Sequence, residues 1–296
     1  MEKEIVTALI SAGTAITTVL IIKPIVDKHL LRFQLKQNYI ADQSKKIKDV
    51  VSINKGNLLK NGELLNHRLF NFATNYDTTW LVCSGNYTAN RHYMDTMVYR
   101  LLGFFGYIKI IERDLIYLDT TISQKSDLRL LKYFRLFHEV MCSVDLFHGF
   151  DYDVSKPTDH FFTTPFDNMI NHVIDNKRVL DLDDFLAKKI DILPKIEPIY
   201  CFFDSISPKE QRLRCERLKS LHLLLIAFLN EFGYDYQKTD KKQMEKLKMR
   251  LGNYRLLENL KNLVKKYKLS KYCGEFEKVA KQVEEKKRQL TPAKPQ

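Results

Sequence analysis

The sequence predicts a mainly α-helical protein with a single N-terminal transmembrane helix followed by a multi-helix cytoplasmic bundle. Three observations lead to this fold class. The 296 residues are 45% hydrophobic, which is enough for a folded core. Only 10 Gly and 8 Pro occur, too few for the frequent turns of a β-sandwich or a β-barrel. An apolar run without any charge occupies residues 5–22.

The N-terminal run, IVTALISAGTAITTVLII, predicts a membrane anchor over residues 1–22. As a helix it is about 27 Å long, close to the roughly 30 Å hydrocarbon core of a bilayer. A cleaved signal peptide and a buried core helix are the alternatives. Glu2-Lys3-Glu4 lacks the positive charge of a signal peptide, and Lys23-Pro24 follows the run where a cleavage site of small residues would stand.

Flanking charge predicts the orientation of this anchor. Lys23, Lys28, Arg32 and Lys36 follow the apolar run, and only Lys3 precedes it. Because Lys and Arg stay preferentially on the cytoplasmic side, we expect a single-pass protein of the bacterial inner membrane with its N-terminus outside and the bulk of the chain cytoplasmic. The five cysteines are odd in number and form no C-x-x-C, which fits reduced thiols in the cytoplasm.

Charge is distributed unevenly along the rest of the chain. Residues 1–208 hold 25 basic and 25 acidic side chains, whereas residues 209–296 hold 23 and 11. We therefore divide the chain into the anchor, a basic juxtamembrane segment over 23–60, a helical domain with an acidic middle over 61–206, a basic C-terminal helical region over 207–290 and a disordered tail over 291–296. The juxtamembrane segment is interpreted as a solvated linker near anionic lipid.

Apolar periodicity and capping signals place the individual helices. Steps of three and four residues predict a central helix over 91–118, and Ser126 precedes another over 127–146. Thr164-Pro165 and Ser207-Pro208 mark two further helix starts, and Gly233 marks a helix end. The remaining predicted helices lie near 238–251, 254–269 and 274–289. Residues 80–87 and 198–203 have short strand-like patterns, which are too little to build a sheet.

One spacing resembles a catalytic motif. Arg217 and His222 form an R-x4-H pattern, which resembles the motif of HEPN ribonucleases, small helical domains that cleave RNA at a dimer interface. The resemblance implies catalytic roles for Arg217 and His222, with the histidine transferring protons. It covers six residues, and Leu218 stands where the family usually has a polar residue. The alternative is an exposed arginine and a partly buried histidine in an ordinary helix.

Two further clusters concern binding. Lys261, Lys265 and Lys268 form a basic stripe that would bind lipid or nucleic acid without sequence specificity. His and carboxylate side chains are frequent in residues 138–160, but they lack zinc-motif spacing. The calcium-loop pattern that begins at Asp151 fails, because Lys156 stands where glycine is required. We therefore predict no metal site.

No Walker A, G-x-S-x-G, G-x-G-x-x-G or kinase motif occurs, so we expect no cofactor and favour interaction over catalysis. The sequence predicts a membrane-anchored helical effector or regulatory protein at the bacterial inner membrane, in stress or phage defence. Its expected partners are the lipid bilayer and either further copies of itself or another protein, with nonspecific nucleic acid as an alternative. The rival functions are a membrane-tethered, metal-independent HEPN-like ribonuclease and a non-toxic scaffold subunit.

Overall fold

The computed structural model describes residues 2–119, 125–155, 157–250, 256–271, 273–274 and 285. Of these residues, 75% are helical and 2% are in strands, which confirms the predicted all-α class. The helices are α1 (Glu2–Thr17), α2 (Lys23–Asn75), α3 (His92–Leu115), α4 (Lys125–Cys142), α5 (Thr163–Asn171), α6 (Leu182–Ala187), α7 (Lys189–Phe203), α8 (Arg214–Phe232), α9 (Lys241–Arg250) and α10 (Leu257–Lys266). Two short strands, β1 (Ile174–Asp175) and β2 (Arg178–Val179), form an antiparallel hairpin in which Ile174 is opposite Val179.

A continuous helix runs from residue 2 to residue 75. A π-helical turn over Thr18–Ile22 joins α1 to α2 without a break, and Pro24 follows it directly. Because proline has no N–H, one helical hydrogen bond is missing next to the π-turn. Residues 2–39 are exposed throughout, and one face of the helix becomes buried from Ile47 onward. The segment over 23–60, interpreted from sequence as a solvated linker, is therefore part of this continuous helix. In the described part of the chain, Glu2–Asn75 is one helix long and apolar enough to cross a membrane.

The core forms where α2, α3, α4 and α8 pack together. Aromatic rings fill its centre. Phe104 of α3 lies edge-to-face with Phe137 of α4 at 4.9 Å and with Phe228 of α8 at 6.1 Å between ring centroids. Edge-to-face pairs add roughly 0.5–1.5 kcal/mol beyond the burial of apolar area. The central helix predicted over 91–118 is thus confirmed as α3.

Helix α8 is buried on every side, because residues 214–229 are all enclosed. The sequence predicts its end correctly at Gly233, but its start near Pro208 is wrong. The capping bonds expected there do form, with the Lys209 N–H donating to Ser207 Oγ at 3.2 Å and the Ser207 N–H donating to Glu210 Oε1 at 3.3 Å. These bonds close a turn, and the helix begins only at Arg214.

Neither segment with a strand-like pattern forms a strand. Residues 198–203 belong to α7, whose buried positions Leu193, Ile196 and Ile199 follow a helical step of three residues. Residues 80–87 form a 3-10 turn at Thr79–Leu81 and a loop. The Asp204 carboxylate holds this loop by accepting the Cys83 N–H at 2.8 Å and the Gly85 N–H at 3.0 Å.

The other predicted helices match observed ones with shifted ends, namely α4, α5, α9 and α10. The helix predicted over 274–289 and the predicted tail over 291–296 lie outside the described residues, apart from Gly274 and Glu285. The sequence also missed α6, the β1–β2 hairpin and the first half of α7.

A buried ion pair joins α3 to α7. Lys189 Nζ lies 2.8 Å from Asp95 Oδ1, and both side chains are almost fully enclosed. The Tyr200 hydroxyl donates to the same carboxylate oxygen at 2.9 Å, and the ammonium also donates to the Ala89 carbonyl at 2.8 Å. Because each charge has several partners, the pair meets the condition under which buried charges are tolerated.

Candidate functional site

Arg217, the first residue of the R-x4-H pattern, is fully buried in α8. Its guanidinium donates three hydrogen bonds to backbone carbonyls, those of Asp159 at 2.7 Å, Ser143 at 3.0 Å and Val140. It also lies over the Phe147 ring, 4.4 Å from the centroid. Burial lowers the pKa of Arg217 to about 10, so the group stays charged at neutral pH. This cation therefore satisfies the carbonyls at the C-terminal end of α4, where a positive charge is favoured.

His222, the second residue of the pattern, is also buried. Its Nε2 lies 3.1 Å from Asn66 Oδ1 on α2, and its ring packs edge-to-face on Phe70 at 4.5 Å. Burial without a nearby carboxylate lowers the pKa of His222 to about 3. The imidazole is therefore neutral at pH 7 and serves as a hydrogen-bond partner that ties α8 to α2.

The structure does not bring the two side chains of the R-x4-H pattern together. Arg217 bonds to the end of α4 and to Asp159, whereas His222 bonds to α2. Five residues along a regular helix correspond to a rotation of about 140°, which explains the divergence. These contacts support structural roles for both residues, and the catalytic role stays a prediction.

The predicted basic stripe lies on α10 and just beyond it. Lys265 and Lys268 are exposed, and Lys261 Nζ lies 3.1 Å from Glu258 Oε2. The opposite face of α10 packs against α4 and the 3-10 turn at Val144–Phe147. The two exposed lysines are free to face lipid or nucleic acid, which stays a prediction.

Helix α10 also contacts the acidic middle of the chain. Lys266 Nζ lies 2.9 Å from Glu139 Oε1, and the Tyr267 hydroxyl donates to the same oxygen at 2.5 Å. Because the basic C-terminal region and the acidic region touch within one chain, no second chain is needed to neutralise Glu139.

Within the His- and Asp-rich residues of 138–160, the buried members Asp159 and His160 are engaged in packing, whereas Asp145, His148, Asp151 and Asp153 are exposed. Asp159 accepts hydrogen bonds from Arg212 Nε at 2.7 Å and from the Leu213 N–H at 3.0 Å. His160 Nδ1 lies 2.8 Å from the Tyr152 hydroxyl. Within the described ranges, no group of three or more His, Cys, Asp or Glu side chains is arranged to hold a metal ion.

A cavity of about 550 Å³ opens between the C-terminal part of α2 and residues 236–247. We call it the polar groove. Amide, aromatic and basic side chains line it, including Asn66, Phe70, Asn71, Tyr236 and Lys246. The sequence did not reveal this site, because its two walls are about 170 residues apart in the chain. The only sequence signal was the lysine-rich composition of residues 238–251.

No family model matches this sequence, and neither the curated proteins nor the solved structures contain a significant match.

Proposed function

We propose that the chain is a membrane-anchored helical effector or regulatory protein that acts through interaction at the bacterial inner membrane. The observation that carries the proposal is the uncovered apolar helix at the N-terminus. Nine large apolar side chains between Ile5 and Ile22 are 50–68% exposed. Leaving them in water costs on the order of 10 kcal/mol, comparable with the whole stability of a typical domain. A bilayer is the environment that removes this cost.

The polar side chains of the same segment suit an apolar medium. The hydroxyls of Thr7, Thr14, Thr17 and Thr18 each donate to the backbone carbonyl four residues earlier, at 2.7–2.8 Å. In lipid, polar groups need partners inside the segment itself. The threonines that make the run only moderately apolar are therefore compatible with a membrane span.

Continuity of the helix supports a mechanical link between the anchor and the body. About 25 residues separate the end of the apolar run from Ile47, which corresponds to roughly 37 Å of helix. No loop interrupts this distance. A shift or rotation of the anchor is thus passed directly to α3 and α8, which pack on α2. The excess of basic residues after the span favours the N-out orientation.

The exposed part of α2 supports pairing with a second copy of the chain. Val26, Leu30 and Phe33 are exposed and lie on one side of the helix, at steps of four and three residues. At seven-residue spacing this stripe leads through Ile40 to the buried Ile47, as in a coiled-coil seam. A strictly monomeric chain in lipid nanodiscs, measured by mass photometry, would contradict this pairing.

A matched pair of substitutions tests the anchor. Ile16→Arg places a charge within the apolar run, where it costs roughly 2.5–3.5 kcal/mol of insertion free energy. Ile53→Arg places the same charge on the part of α2 that packs in the helical core, at a residue that is itself 73% exposed. We expect Ile16→Arg to increase the fraction of chain released from membranes by alkaline carbonate, and Ile53→Arg to leave it unchanged. Equal release of both variants and the wild type into the soluble fraction would refute the anchor.

Colony survival after induced expression tests the function itself. We expect any killing to be lost with Ile16→Arg and retained with Ile53→Arg. The ribonuclease alternative predicts instead that killing and RNA loss disappear with His222→Ala at matched expression. Because His222 is buried, a drop in folded protein must be measured in the same cells. Killing that survives Ile16→Arg would contradict action at the membrane.

A further inference from the structure

We propose that the polar groove binds a nucleotide, with its base against the aromatic and amide side chains and its phosphate against the lysines. Nothing in this proposal depends on the membrane anchor. The cavity volume of about 550 Å³ lies within the range of roughly 300–1,000 Å³ typical of small-molecule sites.

The aromatic side chains provide a place for a planar base. Tyr236 is 75% exposed at the edge of the groove, and its ring stacks on that of Tyr234 at 5.6 Å with an angle of 15°. Because Tyr234 already restricts the Tyr236 ring on one side, Tyr236 loses little conformational freedom when a base stacks on the other side. Stacking of a base on an aromatic ring is tolerant of base identity, because every base has a flat face.

Side-chain amides offer hydrogen bonds for the edge of the base. Asn71, Asn75 and Gln243 line the groove with amides that are at least partly exposed, whereas the Asn66 side chain is buried against His222. An amide carries both donors and an acceptor, so this set can pair with the mixed donor and acceptor edge of a base. Asn71 is held in place, because its Oδ1 accepts from the Tyr93 hydroxyl at 2.9 Å. Fixed amides favour a specific ligand over a nonspecific one.

The charge of the lining favours an anion. Lys238 and Lys246 line the groove, and among the described lining residues there is no Asp or Glu. Lys238 Nζ lies 2.7 Å from Asp235 Oδ1, so an ion pair already compensates part of its charge. For Lys246, the described residues provide no carboxylate partner. Lysine binds phosphate as a point charge, so a phosphate joined to a planar base matches this lining.

The groove has one wall from α2 and one from the C-terminal region, where α9 contributes Gln243, Lys246 and Leu247. A bound ligand therefore contacts the membrane-anchored helix and α9 at once.

Isothermal titration calorimetry on the full-length chain in detergent tests the proposal. The probes are AMP, CMP, GMP and UMP, together with ribose 5-phosphate and the four nucleosides. We expect at least one nucleoside monophosphate to bind with a Kd below about 1 mM. Ribose 5-phosphate and the matching nucleoside should bind at least about tenfold more weakly, because each lacks one half of the recognition.

Two exposed substitutions and two matched controls locate the binding. Tyr236→Ala removes the stacking ring and Lys246→Glu reverses the groove charge, and each should weaken binding about tenfold or more. Tyr117→Ala and Lys195→Glu make the same changes at exposed positions outside the groove lining and should leave the Kd unchanged.

Three results would overturn the proposal. They are the absence of binding by all four nucleotides, equal binding of ribose 5-phosphate or of the matching nucleoside, and binding unaffected by both groove variants.

Discussion

Replacing Arg217 with alanine should destabilise the protein severely. The substitution removes a fully buried guanidinium and leaves the carbonyls of Val140, Ser143 and Asp159 without this donor. Each buried carbonyl left unsatisfied costs about 1–3 kcal/mol. Loss of the cation at the end of α4 costs a further 0.3–1 kcal/mol or so. Partial relaxation and entry of water reduce the sum, and we expect a loss of about 3–5 kcal/mol in the free energy of unfolding.

Urea denaturation of the full-length chain in detergent, followed by far-UV circular dichroism, measures this loss. The control is Arg178→Ala, which removes an exposed arginine from β2 and should leave the urea midpoint unchanged. A typical domain has a stability of about 5–15 kcal/mol, so the expected loss moves the midpoint far outside experimental error.

The same variant separates the structural role of Arg217 from the catalytic one. If Arg217→Ala keeps the wild-type urea midpoint and yet abolishes RNA cleavage by the purified chain, the structural reasoning is refuted. The structural role is favoured if Arg217→Ala lowers the urea midpoint and if expression of the wild type leaves cellular RNA unchanged.

Two further predictions concern buried polar groups. The folded-state pKa of His222, about 3, lies below its ordinary value of 6.5, so the unfolded chain binds a proton that the folded chain does not. Its stabilising contribution is therefore complete above pH 6.5 and is lost as the pH falls toward 3. Urea midpoints should fall more steeply between pH 6.5 and 4.5 in the wild type than in His222→Gln, and parallel curves would contradict the assignment. Separately, Asp95→Asn leaves the buried ammonium of Lys189 without its counter-charge and should cost about 3–5 kcal/mol. Asp235→Asn, in an exposed pair, is the control, and equal urea midpoints for the two variants would contradict this reasoning.

The helices that the sequence predicts well are those whose apolar residues follow a clear period. In α3, positions 94, 97, 98, 101, 104, 105 and 108 are all buried, as the three- and four-residue steps predict. Helix α7 was missed because it contains Pro194 and Pro198, which normally interrupt helices. Its aromatic end resembles a strand when read alone, and packing against α3 overrides that local preference.

Arg217 shows the same limit at the level of a single side chain. Sequence reasoning allows a catalytic arginine or an exposed one, since a lone arginine is rarely buried. The structure buries it, because the carbonyls of three residues from the end of α4 and the loop beyond it converge on the guanidinium. These contacts depend on the tertiary packing of α8 against α4, and the local sequence around Arg217 does not predict them.

The sequence by itself determined the all-helical class, the apolar N-terminal helix, the positions of most helices and the concentration of basic charge at the C-terminal end. These properties depend on composition and on periods of three to seven residues, which are local. Only the tertiary structure decided that Arg217 and His222 bond to different elements and that a polar groove lies between α2 and residues 236–247. Those features require contacts between residues 58 to about 170 positions apart, and only the packing of the whole chain creates them.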